Sequence, residues 1–359
     1  MKAHALVPAE GSAERLVGWV LAHDVRDSAG ALLGRKGERL DAAGAARLVA
    51  GARGEVHLLE MEPGDLHEDP AGERVARAVA GPGVSVRESS GGQWAIVSGH
   101  RGILRVAVAP LAAVNGLEGA SVYTLFDGQV VDAGEVVARA KVTPLVISEA
   151  VVREVEERAR AAGGCVTVRP FERRPVAAVA PASLAPRPRA RFEAVLREKL
   201  DWLGAPLARL EYADSEAAAL GRALESAVAA GARILVVAGA NALDPLDPVF
   251  AAIERLGGRL VRNGVPAHPG SLLWVARVGA VPVIGMPGCG MFSQATLFDL
   301  LLPRLLAGEG IGPEELAAYG HGGLLGRDMA FRFPPYRAGR ERGTLPEDSG
   351  SSTSRDTDG

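Results

Sequence analysis

Apolar and polar positions change rhythm along the chain. Through residues 1–145 the apolar runs are short and divided by turns: VHLLEM from Val56, WAIVSG from Trp94, ILRVAVA from Ile103. Runs of this length predict short strands. One helical stretch interrupts them at PAGERVARAVAG, where Asp69 suits the N-cap and Pro70 the first helical position. GQVVDAGEVVARAKVTPL, residues 128–145, reads as a strand pair about a DAG turn. From about Ile147 to Ala162, EAVVREVEERARAA spaces its apolar residues three and four apart and predicts a helix, ended by the glycines at 163–164. CVTVRPF then reads as a strand leading to Arg173 and Arg174.

From residue 175 strands and helices alternate. PVAAVAP, APLARLEY, ARILVVAG, GRLVRNG, SLLWVARVG and AVPVIGMPG read as strands. ARFEAVLREKLDWLG, EAAALGRALESAVAAG, PVFAAIERLGG and SQATLFDLLLPRLLAG read as helices, the last beginning near Phe292. The fold class expected is α/β: a C-terminal three-layer domain with a largely parallel sheet, preceded by a smaller mixed α+β region. The divisions expected are 1–145, a bridging helix and strand at 146–174, the α/β domain at 175–330, and a disordered polar tail at 338–359 with no further domain after it. ILVVAG, from Ile234, is wholly apolar and is the candidate central strand.

Composition narrows the function classes. The 359 residues are 48% hydrophobic but only 4% aromatic, so stacking platforms for nucleic-acid bases are scarce. With 40 basic and 43 acidic residues the net charge is −3, which argues against a non-specific polyanion binder but not against a local anion site. Nucleic acid is therefore not an expected partner. The two cysteines, Cys165 and Cys289, make neither a zinc cluster nor a disulfide framework. No secretion signal and no apolar run of membrane-spanning length is evident, so the expectation is a cytoplasmic protein with no membrane partner.

Candidate chemistry sits where strands end, because open α/β sheets bind ligands beyond the C-terminal ends of their strands. Two such ends are VVAGANALDPLDPVF, residues 236–250, and VIGMPGCGMFSQ, residues 283–294; if their strands are parallel neighbours, the two loops line one crevice. In the first, Gly239 permits close backbone approach, Asn241 offers donor and acceptor, and Asp244 and Asp247 lie three apart ahead of Pro248. These carboxylates have two readings: capping the next helix, or orienting a polar ligand and holding Mg2+ beside a phosphate. In the second, Gly285, Gly288 and Gly290 would expose backbone N–H groups as an anion cradle backed by the following helix. Cys289 is a small turn-filling residue, a ligand contact or a nucleophile, and no histidine is near in sequence to activate it. A third loop, VPAHPGSLLW, brings His268 and Ser271 as candidates for the same rim.

Together and in this order, ARILVVAGANALDPLD, VPAHPGSLL and VIGMPGCGMFS resemble the molybdopterin-binding fold family, which includes molybdopterin adenylyltransferase and molybdopterin molybdenumtransferase. Asp247 falls on the family's shared aspartate, and Pro269-Gly270 and Pro287-Gly288 on its two Pro-Gly elements. A closer resemblance, over most of the chain, is to the molybdopterin-binding module fused ahead of the nucleotidyltransferase domain in molybdenum cofactor cytidylyltransferase-like proteins. LAH at 21–23, KG at 36–37, EPGDLHEDPAGERVARAVAG at 62–81, the Asn115 region, AKVTP at 140–144, PGCG at 287–290 and GHGGLL at 320–325 carry it.

The resemblance implies a protein that binds molybdopterin or the molybdenum cofactor and acts in its biosynthesis, maturation or delivery. It implies Asp244 and Asp247 as catalytic or Mg2+-binding residues. Gly239, Ala240, Asn241, Pro269, Gly270, Ser271, Pro287, Gly288, Cys289, Gly290 and Ser293 would line the cofactor site. A pterin phosphate, a molybdoenzyme or cofactor-synthesis protein, and a second copy of the chain are the partner classes; the nucleotide, if one is used, stays open. Nucleotidyl or metal transfer and a non-catalytic chaperone or regulatory role stay open as alternatives, as does another small-anion enzyme on the same scaffold. The chain departs from the family in its charges. Where relatives carry Asp-Arg-Arg-Asp, this chain has Asp244-Pro245-Leu246-Asp247, and the stretch after PGC, GMFSQATLFD, lacks the usual basic residues. The phosphate would then rely on backbone N–H groups, on Ser293 and Gln294, or on an arginine from elsewhere, with Arg173, Arg174 and Arg277 as candidates.

Overall fold

The structure, a computed structural model, describes residues 1–8, 12–89, 92–240, 243–292 and 295–336. The expected tail at 338–359 lies outside the described residues. The chain forms two compact units: Met1–His100, Leu104–Asp127 and Asp132–Val168 make the first, and Arg101–Ile103, Gly128–Val131 and the chain from Arg169 onward make the second.

In the first unit an antiparallel sheet runs Ala120–Thr124, Val136–Val142, Gln93–Ser98, Val84–Ser89. Val136–Val142 pairs with the strands on either side of it, so the strand pair expected over 128–145 does not form. The physical cause lies at the DAG turn: Gly134 N–H donates to the Ser98 carbonyl and Ser98 N–H to the Glu135 carbonyl, which ties the turn to a third segment. The helix Glu68–Val79 starts two residues before Pro70. His67, not Asp69, is its N-cap: one ring nitrogen lies 2.8 Å from the Gly37 carbonyl and the other accepts the Asp69 N–H. The helix Glu149–Ala161 is capped by Ser148. Arg74 joins these two helices, with Nε 2.8 Å from Glu156 and Nη1 2.9 Å from Glu149.

The elements of the second unit's main sheet and its helices are numbered from residue 176: β1 (Val176–Pro181), α1 (Pro186–Leu203), β2 (Leu207–Ala213), α2 (Ala217–Ala229), β3 (Ile234–Ala238), α3 (Pro248–Arg255), β4 (Arg259–Asn263), β5 (Trp274–Val278), β6 (Val281–Met286) and α4 (Phe298–Leu306). Six strands form one mixed sheet in the order β2-β1-β3-β6-β5-β4. β2, β1, β3 and β6 are successive parallel neighbours, and β5 runs antiparallel to both β6 and β4. Only Gly279 and Ala280 separate β5 from β6, a connection too short for anything but an antiparallel hairpin.

Strand residues alternate between two buried clusters. Val176, Ala178 and Ala180 pack with Phe192, Leu196 and Leu200 of α1 and Phe298, Leu301 and Leu305 of α4. Ala177 and Val179 pack with Leu224 and Ala227 of α2 and Val249, Ala252 and Ile253 of α3. Apolar burial on both faces is why these strands read as continuous hydrophobic runs. All five residues of β3 are buried, and β3 is interior to the sheet as its composition predicts.

The start of α4 departs furthest from expectation. α4 begins at Phe298, not near Phe292, and the 3-10 turn Gly288–Met291 follows β6 instead. The chain before α4 is held by buried Asp299, which accepts the Thr296 N–H at 2.8 Å. That bond makes residue 296 part of the helix approach, so the apolar Met291-Phe292 pair belongs to a loop.

Candidate functional site

Because β1, β3 and β6 are parallel neighbours, their C-terminal ends and the loops that follow lie at one edge of the second unit. Gly239, just past β3, donates its N–H to the Met286 carbonyl at the end of β6, 2.8 Å away. Its φ is +81°, and a Cβ there would stand 2.9 Å from Pro181 Cγ and 3.8 Å from Met291 Sδ. Three loops thus converge on one residue that has to be glycine on two counts, its left-handed backbone and the proline against it. Ala240 follows, buried. Asn241 lies outside the described residues.

The two candidate aspartates both bond to local backbone. Asp247 is the N-cap of α3, its Oδ1 accepting the Val249 N–H at 2.9 Å, with Pro248 in the first turn. Asp244 Oδ1 accepts the Leu246 N–H at 2.8 Å, an Asx turn. The capping geometry is therefore present, and each carboxylate keeps its second oxygen. Among the described residues no group of three or more His, Cys, Asp or Glu is arranged to hold a metal. Leu243 and Leu246 stand 71% and 86% exposed on this loop, and Leu246 occupies one of the two positions, with Pro245, where the family resemblance led to an expected arginine.

The Pro-Gly segment before β5 packs against the approach to α4. Leu297 N–H donates to the Pro269 carbonyl at 3.2 Å. Gly270 has φ +123°, and a Cβ on it would lie 2.7 Å from Leu297 Cβ. His268 exchanges backbone hydrogen bonds with the GHGGLL segment, donating to Gly323 and accepting from Leu325, each 2.7 Å. His268 and Ser271 are exposed.

The GMPGCG glycines divide in role. Gly285 belongs to β6, opposite Trp274, and a Cβ there would overlap the buried indole. Gly290 uses its N–H to close the turn onto the Pro287 carbonyl, 2.8 Å away. Gly288 is exposed with open space around it, and Pro287 is buried. The cradle expected from three glycines thus reduces to the 288–292 stretch, and α4 does not back it directly. The Cys289 side chain, Ser293 and Gln294 lie outside the described residues.

Beneath the approach to α4 lies a buried ion pair. Lys199 Nζ sits 2.7 Å from Asp299 Oδ1, the two side chains 3% and 0% exposed. The Tyr336 hydroxyl donates to the same carboxylate at 2.8 Å. Burial and the Asp299 charge push the Tyr336 phenol well up, which keeps it a neutral donor.

The arginines proposed from sequence fall elsewhere. Arg173 and Arg174 precede β1, and Arg174 pairs with Glu172 at 2.8 Å. Arg277 lies near the β5–β6 turn, opposite Pro282 at the start of β6. All three sit at the N-terminal edge of the parallel strands. The arginines at the loop edge belong to α1, which follows β1 directly. Arg189 Nη2 donates to the Ala182 carbonyl at 2.9 Å, and Arg191 Nη2 lies 3.4 Å from the Phe292 carbonyl. A sequence signal existed for them: RPRAR at 187–191 places three arginines in five residues just beyond a strand end.

No family model matches the chain, and no curated protein matches it. Several solved structures are similar to it. A CinA protein of unknown function from Thermoplasma acidophilum is 13% identical over 37% of this chain and 98% of its own, with a TM-score of 0.30. The molybdopterin biosynthesis MoeA protein from Pyrococcus horikosii is 17% identical over 67% of this chain and 79% of its own, at 0.29. The molybdopterin biosynthesis enzyme MoaB from Thermus thermophilus is 18% identical over 39% and 98%, also at 0.29. At such TM-scores these likenesses bear on neither the fold nor the activity of this chain.

Proposed function

We propose that the second unit binds molybdopterin or the molybdenum cofactor at the C-terminal edge of its parallel strands, and serves the biosynthesis, maturation or delivery of that cofactor. The observation that carries this reading is the convergence of the resembling loops. Gly239 touches Pro181 and Met286, Leu297 is bonded to Pro269, and GHGGLL is bonded to His268. Segments separated by up to about 80 residues, matched to the family by their residues alone, come to one edge. Backbone around 288–292, with the Pro269–Ser271 turn and the loop from Gly239, would bind the phosphate and the pterin rim.

Mg2+ suits the donor set in type, because it is commonly held by one or two carboxylates plus phosphate oxygens and water. Asp244 and Asp247 would supply the carboxylates, each through the oxygen not committed to a backbone N–H. Bound there, the ion would neutralise phosphoryl charge during nucleotidyl or metal transfer. The residues would orient the phosphate whether or not transfer follows.

One observation favours the non-catalytic reading, in which the protein hands a bound cofactor to another. Leu243 and Leu246 project into solvent at the loop that also carries the aspartates. Exposed leucines beside a ligand crevice suit contact with a receiving protein.

Isothermal titration with purified molybdopterin tests the proposal, with saturable binding at one site per chain as the expected result. Absence of binding overturns it. Turnover of ATP or CTP that requires the pterin assigns the transfer role, and binding without turnover assigns the delivery role.

A further inference from the structure

The loops of this crevice hold no arginine or lysine in the stretches where the phosphate would lie, so the positive charge has to come from another element. α1 provides it. The helix leaves β1 at the same edge, since Pro181, the last residue of β1, is the proline against Gly239. Its first two turns carry Arg187, Arg189 and Arg191, and none of them is paired with a carboxylate among the described residues. Glu193, the nearest acid along the helix, is taken by Arg197, whose Nη2 lies 2.8 Å away.

Arg191 is exposed and reaches the loop after β6. Its guanidinium lies 5.5 Å from the centroid of the Phe292 ring, and its one hydrogen bond among the described residues, to the Phe292 carbonyl, is 3.4 Å long. A bond of that length holds the side chain weakly and leaves most of the guanidinium donors for a ligand. Arg189 is positioned more firmly. It stacks on Tyr212 at 3.9 Å and donates to Ala182 just past β1. Among the described residues, two donors in this stacked pair, Arg189 Nε and the Tyr212 hydroxyl, are buried with no hydrogen-bond partner. Burial, reinforced by the Glu193 charge, pushes the Tyr212 phenol up, so it stays a neutral donor at physiological pH.

We propose that Arg189 and Arg191 are the cationic partners of a phosphate monoester held at this edge, with the Tyr212 ring ordering Arg189, in place of the loop arginines of the family the chain resembles. The arrangement matches the ligand chemistry. A guanidinium presents parallel N–H donors at the spacing of phosphate oxygens, and it keeps its charge at any working pH. Tyr212 and Phe292 supply flat faces against which the two guanidinium groups are ordered, which limits the freedom each loses on binding. The inference rests on the reading of this edge as a ligand site, and it specifies which residues meet the anion.

The test measures two probes, molybdopterin and inorganic pyrophosphate, on the full chain and on Arg191→Gln, Arg189→Gln and the double variant. Arg197→Gln, whose arginine is paired with Glu193, is the control, and thermal melting checks folding. Each single variant is expected to lose about ten- to hundredfold in affinity, the range for a hydrogen bond to a charged group. Wild-type affinity should fall with added salt, and the double variant's should fall less steeply. Arg191→Lys should retain part of the affinity, because charge survives but the fork does not. Arg191 is exposed, so its variant reports even if loss of the Arg189 stack impairs folding. If wild type binds molybdopterin and both single variants bind it equally well, the arginine assignment is overturned while the cofactor reading stands. If molybdopterin does not bind but pyrophosphate binds with the same arginine dependence, the cofactor reading fails and the phosphate site stands. Failure of wild type to bind either probe overturns both.

Discussion

At Gly285 a methyl group in place of hydrogen would enter the indole of Trp274, a ring with no exposed surface. The register that sets them opposite each other belongs to the β5–β6 hairpin, so neither strand can slide to relieve the overlap. Gly285→Ala is expected to cost ~1–3 kcal/mol, the range for overpacking a filled core. A urea midpoint matching wild type at unchanged slope would show that Trp274 repacks freely. Gly288→Ala, in open space, should leave the midpoint in place. From the sequence, Gly285, Gly288 and Gly290 read alike, as one anion cradle. Their separate roles depend on a tryptophan eleven residues earlier, on a proline carbonyl and on solvent. Only the proline lies within the six-residue motif, and the motif does not say which glycine meets it. The same limit hid the contacts of Arg189 and Arg191, whose neighbours Tyr212 and Phe292 are remote in sequence. The glycine at 239 was more legible, because a strand end followed by glycine calls for a left-handed residue wherever the sheet lies.

Elements were more legible than contacts. The strand–helix alternation from residue 175 predicts all six strands and the helices between them, since burial on both faces leaves long apolar runs that polar turns divide. Boundaries failed where specific hydrogen bonds intervene. α4 starts at Phe298 because Asp299 holds Thr296, and the paired strands expected at 128–145 are separated by the bonds of Ser98. Asp247 illustrates the remaining ambiguity of an element's end. It caps α3, and the same carboxylate is a candidate for Mg2+ or ligand. Two substitutions separate these roles. Asn caps as well as Asp, so Asp247→Asn should leave the melting temperature near wild type, whereas Asp247→Ala should lose ~1 kcal/mol. If the charge also serves the ligand, both variants should weaken molybdopterin or Mg2+ binding by a similar factor. Full binding by Asp247→Asn would confine the residue to capping.

Across the whole molecule, the candidate ligand chemistry is concentrated in the second unit, while the first holds a charge network of a different kind. Arg74 bonds Glu149 and Glu156 at 2.8–2.9 Å, joining the helices Glu68–Val79 and Glu149–Ala161. Its guanidinium holds both carboxyls below the ordinary glutamate range of 4.5. A carboxyl depressed in the folded state contributes stability that is fully present above its unfolded pKa and is lost as pH falls through the folded value. The network therefore supports the first unit at pH 7 and weakens as pH drops below about 4.5 toward the depressed values. Hydrogen exchange read peptide by peptide confines the measurement to that unit. Amides of Glu149–Ala161 should lose protection as the pH falls from 6 to 3, after correction for the intrinsic exchange rate. Arg74→Met should lower their protection at pH 6 and flatten its dependence on acid, because the carboxyls would then titrate near their unfolded values. Peptides from β3 and β6 should keep the same protection in wild type and variant, since among the described residues Arg74 bonds only within the first unit. An unchanged acid slope in Arg74→Met would mean that other carboxylates govern the acid response, and that this bridge contributes geometry but little free energy.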